Sequence, residues 1–225
     1  MKKILLNIRF IKNIRNYIRT KKILSAPTGQ MDLKSDRGAL VYNFISGNEI
    51  ENVLDIGTWN GLGSTTVLYE GLKSKKKRFE ITSIETDKIA YKNALKNLKG
   101  KAEITLILGR IIDVEELPDI KSIEFEKHGL IPENIEWFYQ DIRRYKKTKN
   151  ILSTLNQSFD FILFDGGEFS TFAEFKKLYK RTKYFALDDV DTYKQYEVLN
   201  YIDKYSYKFE LITYTDGLSI YKNIN

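Results

Sequence analysis

Short apolar runs alternate with amphipathic segments along the chain from residue 51 onward. Apolar runs bounded by turn residues are typical of buried strands, and longer segments with apolar residues every three or four positions are typical of helices. The pattern predicts strands at 52–56, 80–84, 104–108, 159–164 and 184–187, with helices at 65–72, 88–98 and 172–179 between them. This order is typical of an α/β fold with a doubly wound parallel sheet.

The end of the chain has the pattern of an antiparallel hairpin. Apolar strands predicted at 207–214 and 218–221 flank Asp216-Gly217, a pair that readily adopts the positive φ angles of a tight turn. Before this hairpin, the connection between residues 109 and 158 is much longer than a simple crossover. We expect an insertion at about 110–158 that covers the active face and contains a helix at 132–144.

Residues 1–24 form a basic amphipathic segment, in which eight Lys or Arg residues and no acid occur before residue 23. The apolar stretches are too short for a signal peptide or a transmembrane helix. We expect a helix that packs on its own domain or on a second copy in a homodimer, with peripheral contact to an anionic membrane as the alternative. The residues that share its apolar side are Ile4, Ile8, Ile11, Ile14 and Ile18.

The composition is that of a folded chain with one domain, which we place at residues 25–225. The chain has 225 residues, of which 42% are hydrophobic and 30% charged, so long disordered tracts are not expected. It contains no cysteine, which excludes disulfide scaffolds, thiol nucleophiles and cysteine-ligated metal centres. Beyond the basic segment the acids and bases nearly balance, so we expect no nucleic-acid partner. We expect a cytoplasmic protein, peripheral at the inner face of the membrane if its basic segment binds lipid.

The segment DIGTWNGLGST, residues 55–65, joins the first predicted strand to the first predicted helix. Gly57 and Gly61 allow the backbone to approach a ligand closely, and the start of the helix at Ser64 presents unpaired N–H groups. Glu85 follows the second strand, where a carboxylate can accept hydrogen bonds from both hydroxyls of a ribose. The glycine spacing differs from Gly-x-Gly-x-x-Gly, which disfavours NAD. A turn that needs glycine for packing alone is the structural alternative.

These residues resemble a class I S-adenosylmethionine-dependent methyltransferase. The resemblance rests on the motif Asp55-Ile-Gly57-Thr58-x-x-Gly61, on Glu85 and on the terminal hairpin, and it spans about residues 30–223. It implies a Rossmann-like, seven-stranded sheet whose last strand is antiparallel, with S-adenosylmethionine as the cofactor. The cofactor-binding residues that it implies are Asp55, Gly57, Thr58, Asn60, Gly61, Ser64 and Glu85.

Three carboxylates follow two further predicted strands. Asp165 follows the strand at 159–164, and Asp188 and Asp189 follow the strand at 184–187. Because ligands of open α/β sheets bind at the carboxyl ends of the strands, we expect the three to share one pocket. Ionised carboxylates about 4 Å apart repel by about 4 kcal/mol at an effective dielectric constant of about 20, so such a group needs a cation or a proton. Because all the candidate ligands are oxygen atoms, the expected ion is Mg²⁺ or Mn²⁺. The alternative to metal binding is that these aspartates cap the helices that follow the strands.

One Asp after the fourth strand and an acid pair after the fifth resemble the Mg²⁺ site of catechol and macrocin-type sugar O-methyltransferases. This resemblance implies Asp165, Asp188 and Asp189 as metal ligands. The catechol enzymes carry an amide and a lysine where this chain has Asp189 and Glu168. The departure speaks against a catechol substrate and leaves a sugar as the favoured acceptor.

Two residues are candidates for the general base, and with Asp165 they make up the candidate catalytic residues. Glu168 lies in the segment DGGEFS, and the alternative to a role as base is that it is an exposed Glu in a first helical turn. His128, the sole histidine, lies in the insertion. The sequence thus predicts an S-adenosylmethionine-dependent O-methyltransferase, assisted by a divalent metal, that acts on a small hydroxylated acceptor such as a sugar or glycan precursor. Metal-independent O- or N-methyl transfer and a non-catalytic cofactor-binding protein of the same fold are the alternatives.

Overall fold

The computed structural model describes residues 31–224, and its centre is a seven-stranded sheet. The strands are β1 Asn52–Ile56, β2 Glu80–Glu85, β3 Ile104–Leu108, β4 Phe159–Phe164, β5 Thr182–Asp188, β6 Phe209–Thr215 and β7 Leu218–Asn223. Their order in the sheet is β3-β2-β1-β4-β5-β7-β6; β1 to β5 are parallel, and β7 is antiparallel to both of its neighbours. The order reverses between β1 and β4, which is where open α/β sheets form their ligand cleft.

Helices cover both faces of the sheet. Within residues 31–224 the α-helices are α1 Asp36–Gly47, α2 Ser64–Ser74, α3 Lys88–Asn97, α4 Pro132–Tyr145, α5 Thr171–Leu178 and α6 Tyr193–Lys204. Helices α1 and α2 pack on one face, where side chains such as Ile45 and Leu68 join a buried cluster with the strands. Helices α4, α5 and α6 contribute to a second cluster on the other face, around Phe164 and Phe175.

Strand β4 is apolar from Phe161 to Phe164 because both of its faces are covered. In β4, Phe161 and Leu163 belong to the first cluster, whereas Ile162 and Phe164 belong to the second. Side chains alternate between the two faces of a strand, so a strand buried on both faces needs an unbroken apolar run. This run is the signal by which the sequence pattern identifies β4.

The predicted α/β fold is confirmed, including the seven strands and the antiparallel last strand. Two helices, α1 and α6, were not predicted. Each follows a capping side chain, since Ser35 accepts from the N–H of Gly38 and Thr192 accepts from the N–H of Lys194. Strand β6 begins at Phe209 and not at residue 207, because residues 206–208 form a short 3₁₀ turn.

The predicted insertion contains α4 and short 3₁₀ turns. Helix α4 begins at Pro132, as predicted, since proline has no N–H to leave unpaired in a first helical turn. The amphipathic helix predicted for residues 1–24 lies outside the described residues. Between residues 31 and 224, no helix combines the length and the hydropathy required to cross a bilayer.

Candidate functional site

A cleft runs across the carboxyl ends of β1, β2, β4 and β5. It consists of two adjoining cavities of about 220 and 180 Å³, which share Gly57, Trp59 and Asp165 as lining residues. The larger cavity extends past Glu85 to helix α4, and the smaller one reaches Asp188 and Asp189 at the end of β5. We call them the β2 cavity and the β5 cavity.

The turn after β1 is packed directly against the end of β4. The N–H groups of Gly57 and Thr58 both donate to the carbonyl of Ile84, at 3.0 and 3.1 Å. Gly57 has a φ of +104°, and a Cβ there would lie 2.1 Å from the carbonyl oxygen of Asp165. Glycine is the residue that permits both this angle and this approach. The predicted cofactor turn therefore adjoins a predicted metal ligand.

Asp55 lies beneath this turn and is completely buried. Its carboxylate accepts from the hydroxyls of Ser64 at 3.2 Å, Thr65 at 2.6 Å and Ser83 at 2.8 Å. Burial raises the pKa of Asp55, and the three hydroxyl donors offset part of that rise. Asp55 lines neither cavity, so its contacts are those of a residue that holds the turn in place. A direct contact between Asp55 and a cofactor stays a prediction.

Three other predicted cofactor residues line the β5 cavity, namely Thr58, Asn60 and Ser64. Gly61 does not line it. A Cβ at Gly61 would lie 2.7 Å from the side chain of Leu98, next to helix α3, so this glycine lets the turn and that helix pack together. The two glycines of the motif thus serve different contacts, and the sequence alone does not separate them.

Glu85 lines the β2 cavity at the end of β2. Its Oε2 accepts from the N–H of Trp59 and its Oε1 from the N–H of Asp87, both at 2.7 Å. Burial raises the pKa of Glu85 to about 7 in spite of these backbone donors. Trp59, which the sequence analysis missed, has a φ of +50°, an uncommon angle for a residue other than glycine. Glu85 and Trp59 together form one wall of the β2 cavity.

The opposite wall of the β2 cavity comes from helix α4. Asp141, Arg144 and Tyr145 line the cavity there. Arg144 donates from Nε to Asp87 at 3.0 Å and from Nη1 to Asp141 at 2.8 Å, which ties the insertion to the loop after β2. The sequence analysis placed the insertion over the active face but did not single out these residues. Their spacing of three and four positions on one helix was the available signal.

The three predicted metal ligands meet in the β5 cavity, and we call Asp165, Asp188 and Asp189 the acidic trio. One carboxylate oxygen from each lies within 4.8 Å of the others. Burial, followed by the charge of Asp165, raises the pKa of Asp188 to about 7. Asp189 has a φ of +59°, a strained backbone angle of the kind that clusters at functional sites.

Two basic residues that the sequence analysis did not single out contact the acidic trio. Nζ of Lys194 donates to Asp165 at 2.5 Å and to Asp189 at 3.1 Å. Nη1 of Arg37 donates to Asp188 at 3.2 Å and to Asp189 at 2.7 Å. Burial lowers the pKa of Lys194, but the three carboxylates outweigh burial and raise it above its ordinary value. All three carboxylates therefore have positively charged partners.

The donor set alone suits a hard divalent cation, because every donor is a carboxylate oxygen. The arrangement does not suit one. An ion shared by Asp165 and Asp189 would need the space next to Nζ of Lys194, and two fixed positive charges would repel it. The residues as placed fit two protein cations better than a divalent ion. The ligand roles of the acidic trio stay predictions.

Glu168 lies to the side of the acidic trio. Its Oε1 accepts from the backbone N–H of Lys194 at 3.1 Å, at the start of α6. Burial raises the pKa of Glu168. Glu168 and Tyr193 line a separate pocket of about 210 Å³. Glu168 lines neither the β2 cavity nor the β5 cavity. Its contact with α6 is therefore structural, and its role as a general base stays a prediction.

His128 packs in an aromatic group. Its ring centroid lies 5.1 Å from that of Tyr193 and 4.3 Å from that of Tyr196. It lines neither cavity of the cleft, so its predicted role as a base has no geometric support here. Among the three candidate catalytic residues, Asp165 alone lines the cleft, and it lines both cavities.

No model of a known protein family matches the chain, and no curated protein sequence matches it. Solved structures do match. A Staphylococcus aureus protein assigned as a caffeoyl-CoA O-methyltransferase is 16% identical, with a TM-score of 0.55 over 99% of this chain and 98% of that chain. TomG from Streptomyces achromogenes, an O-methyltransferase of tomaymycin synthesis in complex with SAM, is 14% identical, with a TM-score of 0.55 over 87% and 82% of the two chains.

An O-methyltransferase from Bacillus cereus, in complex with SAH, is 14% identical, with a TM-score of 0.54 over 92% of this chain and 88% of that chain. At these identities the likeness concerns the fold. The chain has the fold of S-adenosylmethionine-dependent O-methyltransferases, and the resemblance inferred from the sequence is confirmed at that level.

Proposed function

We propose that this protein transfers the methyl group of S-adenosylmethionine to a hydroxyl group of a small acceptor, with a sugar or glycan precursor as the favoured class. One observation carries the proposal: Gly57 backs onto Asp165 so closely that a Cβ would not fit. A cofactor held on the turn after β1 would therefore adjoin the acidic trio. The cleft at the reversal of strand order is where this fold binds its ligands.

The β2 cavity supports binding of the nucleoside. Glu85 faces it with a carboxylate that can accept from two ribose hydroxyls, and the apolar side chains of Ile84 and Ile111 line it beside the place of a flat base. Helix α2 begins at Ser64 without a side-chain cap, and Gly63 and Ser64 border the β5 cavity. Unpaired N–H groups at such a helix start suit a carboxylate like that of the methionyl group.

The acidic trio supports methyl transfer to oxygen. Among the described residues that line the β5 cavity, the trio supplies every carboxylate. The acceptor oxygen attacks the methyl carbon, the carbon–sulfur bond breaks with its electron pair left on sulfur, and the hydroxyl proton passes to a carboxylate of the trio. The products are the methyl ether and S-adenosylhomocysteine. Holding the acceptor oxygen about 3 Å from the methyl carbon contributes on the order of several kcal/mol to catalysis.

The metal-assisted reaction and its metal-independent alternative differ in how the acidic trio is neutralised. Three clustered carboxylates support the expectation of Mg²⁺ or Mn²⁺. The contacts of Lys194 and Arg37 with the same oxygens favour the metal-independent reaction, and that is the form we propose.

Calorimetry with S-adenosylhomocysteine, followed by transfer of a labelled methyl group from S-adenosylmethionine to a panel of sugars and small-molecule amines, tests the proposal. We expect saturable binding of the nucleoside and label on a hydroxyl, with the same rate in EDTA as in Mg²⁺. Loss of activity in EDTA, restored by Mg²⁺, would favour the metal-assisted form. No heat with the nucleoside would contradict the proposal, and binding without transfer to any acceptor would favour a non-catalytic protein.

A further inference from the structure

We infer that Lys194 and Arg37 supply the positive charge that a divalent ion supplies in metal-assisted O-methyltransferases, and that they keep the acidic trio free of metal. The catalytic meaning of this inference rests on the proposed function. Its central claim concerns ion binding, so it can be tested without turnover.

The Lys194 ammonium lies where an ion shared by Asp165 and Asp189 would lie. Its Nζ lies 2.5 Å from Oδ1 of Asp165 and 3.1 Å from Oδ2 of Asp189, so it bridges the two strand ends. Divalent ions bind carboxylate oxygens at about 2.0–2.6 Å. An ion shared by these two residues would occupy nearly the same space as Nζ. Lysine and metal are therefore alternative occupants of one position.

The charges of the site also disfavour a divalent ion. When ionised, the acidic trio carries three negative charges, and Lys194 and Arg37 contribute two positive ones. The sulfonium of bound S-adenosylmethionine adds one more, which makes the site neutral. Methyl transfer removes the sulfonium charge and releases the hydroxyl proton to the trio, so neutrality is kept. A divalent ion that replaced the Lys194 ammonium would leave the same site with a surplus of one positive charge, and an ion added beside it would leave a surplus of two, each of which is unfavourable next to the charge of Arg37.

Both cations are also held in place. The Lys194 side chain is 6% exposed, and its backbone N–H donates to Glu168 at 3.1 Å and to Thr192 at 3.3 Å. Nε of Arg37 donates to the carbonyl of Asp216 at 2.9 Å, beside a glycine turn with no side chain to displace it. Moving the Arg37 guanidinium aside for an ion would break its bond to Asp216 as well as those to the trio, and moving the Lys194 ammonium would displace a buried side chain from two carboxylates.

Titration with Mn²⁺, followed by electron paramagnetic resonance of the free ion, tests the inference on the full chain. The wild type is expected to show no saturable binding up to about 1 mM. Lys194→Met keeps the length of the side chain without its charge, and it should bind Mn²⁺ at least about tenfold more tightly, equivalent to about 1.4 kcal/mol. The matched control is Lys204→Met, at the exposed far end of α6, which should behave as the wild type.

Circular dichroism on the same samples reports whether each variant is folded, and calorimetry with S-adenosylhomocysteine reports whether it binds the nucleoside. Saturable Mn²⁺ binding by the wild type would overturn the inference. So would a Lys194→Met protein that binds the nucleoside normally yet gains no affinity for Mn²⁺. If Lys194→Met does not fold, Lys194→Gln replaces it, because the amide still donates to the carboxylates. The inference then requires Lys194→Gln to gain affinity for Mn²⁺ by the same factor. Absence of nucleoside binding by the wild type would contradict the proposed function and leave the Mn²⁺ comparison valid.

Discussion

The carboxylates in the two halves of the cleft have different partners. At the ends of β1 and β2, Asp55 and Glu85 accept hydrogen bonds from hydroxyls and backbone N–H groups, which are neutral donors. On the helix α4 wall of the β2 cavity, the carboxylate of Asp141 pairs with a charged residue, Arg144. On the β5 side, every carboxylate of the acidic trio pairs with the full charge of Lys194 or Arg37. Neutral donors stabilise a buried carboxylate less than an opposite charge does, so under the proposed function Glu85 suits an uncharged ribose and the trio suits a step in which charge and a proton move.

Removing one carboxylate from the β5 side should have the largest effect on turnover. Asp188→Asn keeps the shape of the side chain but takes away an acceptor of the hydroxyl proton and a partner of Arg37. We expect kcat to fall by about 10³-fold, the scale of general-base catalysis, while the Kd for S-adenosylhomocysteine stays within about twofold. Asp191→Asn, at an exposed position three residues later, is the control. A variant at position 188 with the wild-type rate would reduce the trio to a structural role.

The difference between neutral and charged partners also predicts how stability depends on pH. Glu174 lies in α5 beside the β2 cavity, accepts from the Tyr145 hydroxyl at 3.1 Å, and has a pKa that burial raises from 4.5 to about 7. A raised pKa stabilises the fold fully below 4.5, and this stabilisation is lost as the pH rises through about 7. The shift is equivalent to about 3 kcal/mol. Because glutamine does not ionise, the free energy of unfolding of Glu174→Gln should decline less between pH 5 and pH 8 than that of the wild type. Urea unfolding at both pH values measures the difference.

Asp189 should respond to pH in the opposite direction to Glu174, and also to Asp188 in the same trio, because its pKa is lowered. Burial raises its pKa, but Lys194 and Arg37 outweigh burial and bring it below the ordinary value. The contribution of Asp189 to stability is present above pH 3.8 and is lost on acidification.

The control for Glu174→Gln is Glu103→Gln, at an exposed position, in which stability should change with pH as it does in the wild type. An equal decline in stability for wild type and Glu174→Gln would contradict the assignment for the β2 side.

The same two halves differ in how far they could be predicted from the sequence. The cofactor turn at residues 55–65 and Glu85 at the next strand end lie close together along the chain, so a motif and a spacing were sufficient to predict them. The β5 side combines Asp188 with Arg37, 151 positions away, and contacts over such a separation leave no local pattern. Lys194 lies five positions after Asp189, but in a helix that was not predicted.

Local patterns also identify a residue without giving its contacts. The apolar runs predicted the strands because both faces of the sheet are covered. Asp55 and Gly61 both belong to the motif, yet neither lines a cavity of the cleft, because Asp55 is bonded to hydroxyls beneath the turn and Gly61 meets Leu98. Which way a side chain faces depends on neighbours from distant parts of the chain.

Loss of Glu85 should weaken cofactor binding without affecting the charged side. Glu85→Ala removes the acceptor of two ribose hydroxyls and of two backbone N–H groups. We expect the Kd for S-adenosylhomocysteine to rise about 30-fold, which corresponds to about 2 kcal/mol. Glu80→Ala, at the exposed start of the same strand, is the control. Unchanged affinity in Glu85→Ala would place the ribose elsewhere in the cleft.

The ionised form of Glu85 is the one that can accept from both hydroxyls. Because burial raises the pKa of Glu85 to about 7, the affinity of the wild type for the nucleoside should increase as the pH rises from 6 to 8. This dependence should be absent in Glu85→Ala. Calorimetry at both pH values measures it, and a flat profile in the wild type would argue against the ionised carboxylate as the acceptor.

The smallest expected effect concerns Gly217, which has no side chain and so leaves room for the Arg37 guanidinium. Gly217 has a φ of +73°, and a Cβ there would lie 1.7 Å from Nη2 of Arg37. Gly100 has a φ of +88° but has no neighbouring atom within 4 Å of that position, so Gly100→Ala adds backbone strain alone. Each variant should lose about 1 kcal/mol of stability. Gly217→Ala should in addition displace the guanidinium and lower kcat by about tenfold, with nucleoside binding unchanged. Equal kcat in the two variants would mean that Arg37 is dispensable to the charged half of the cleft.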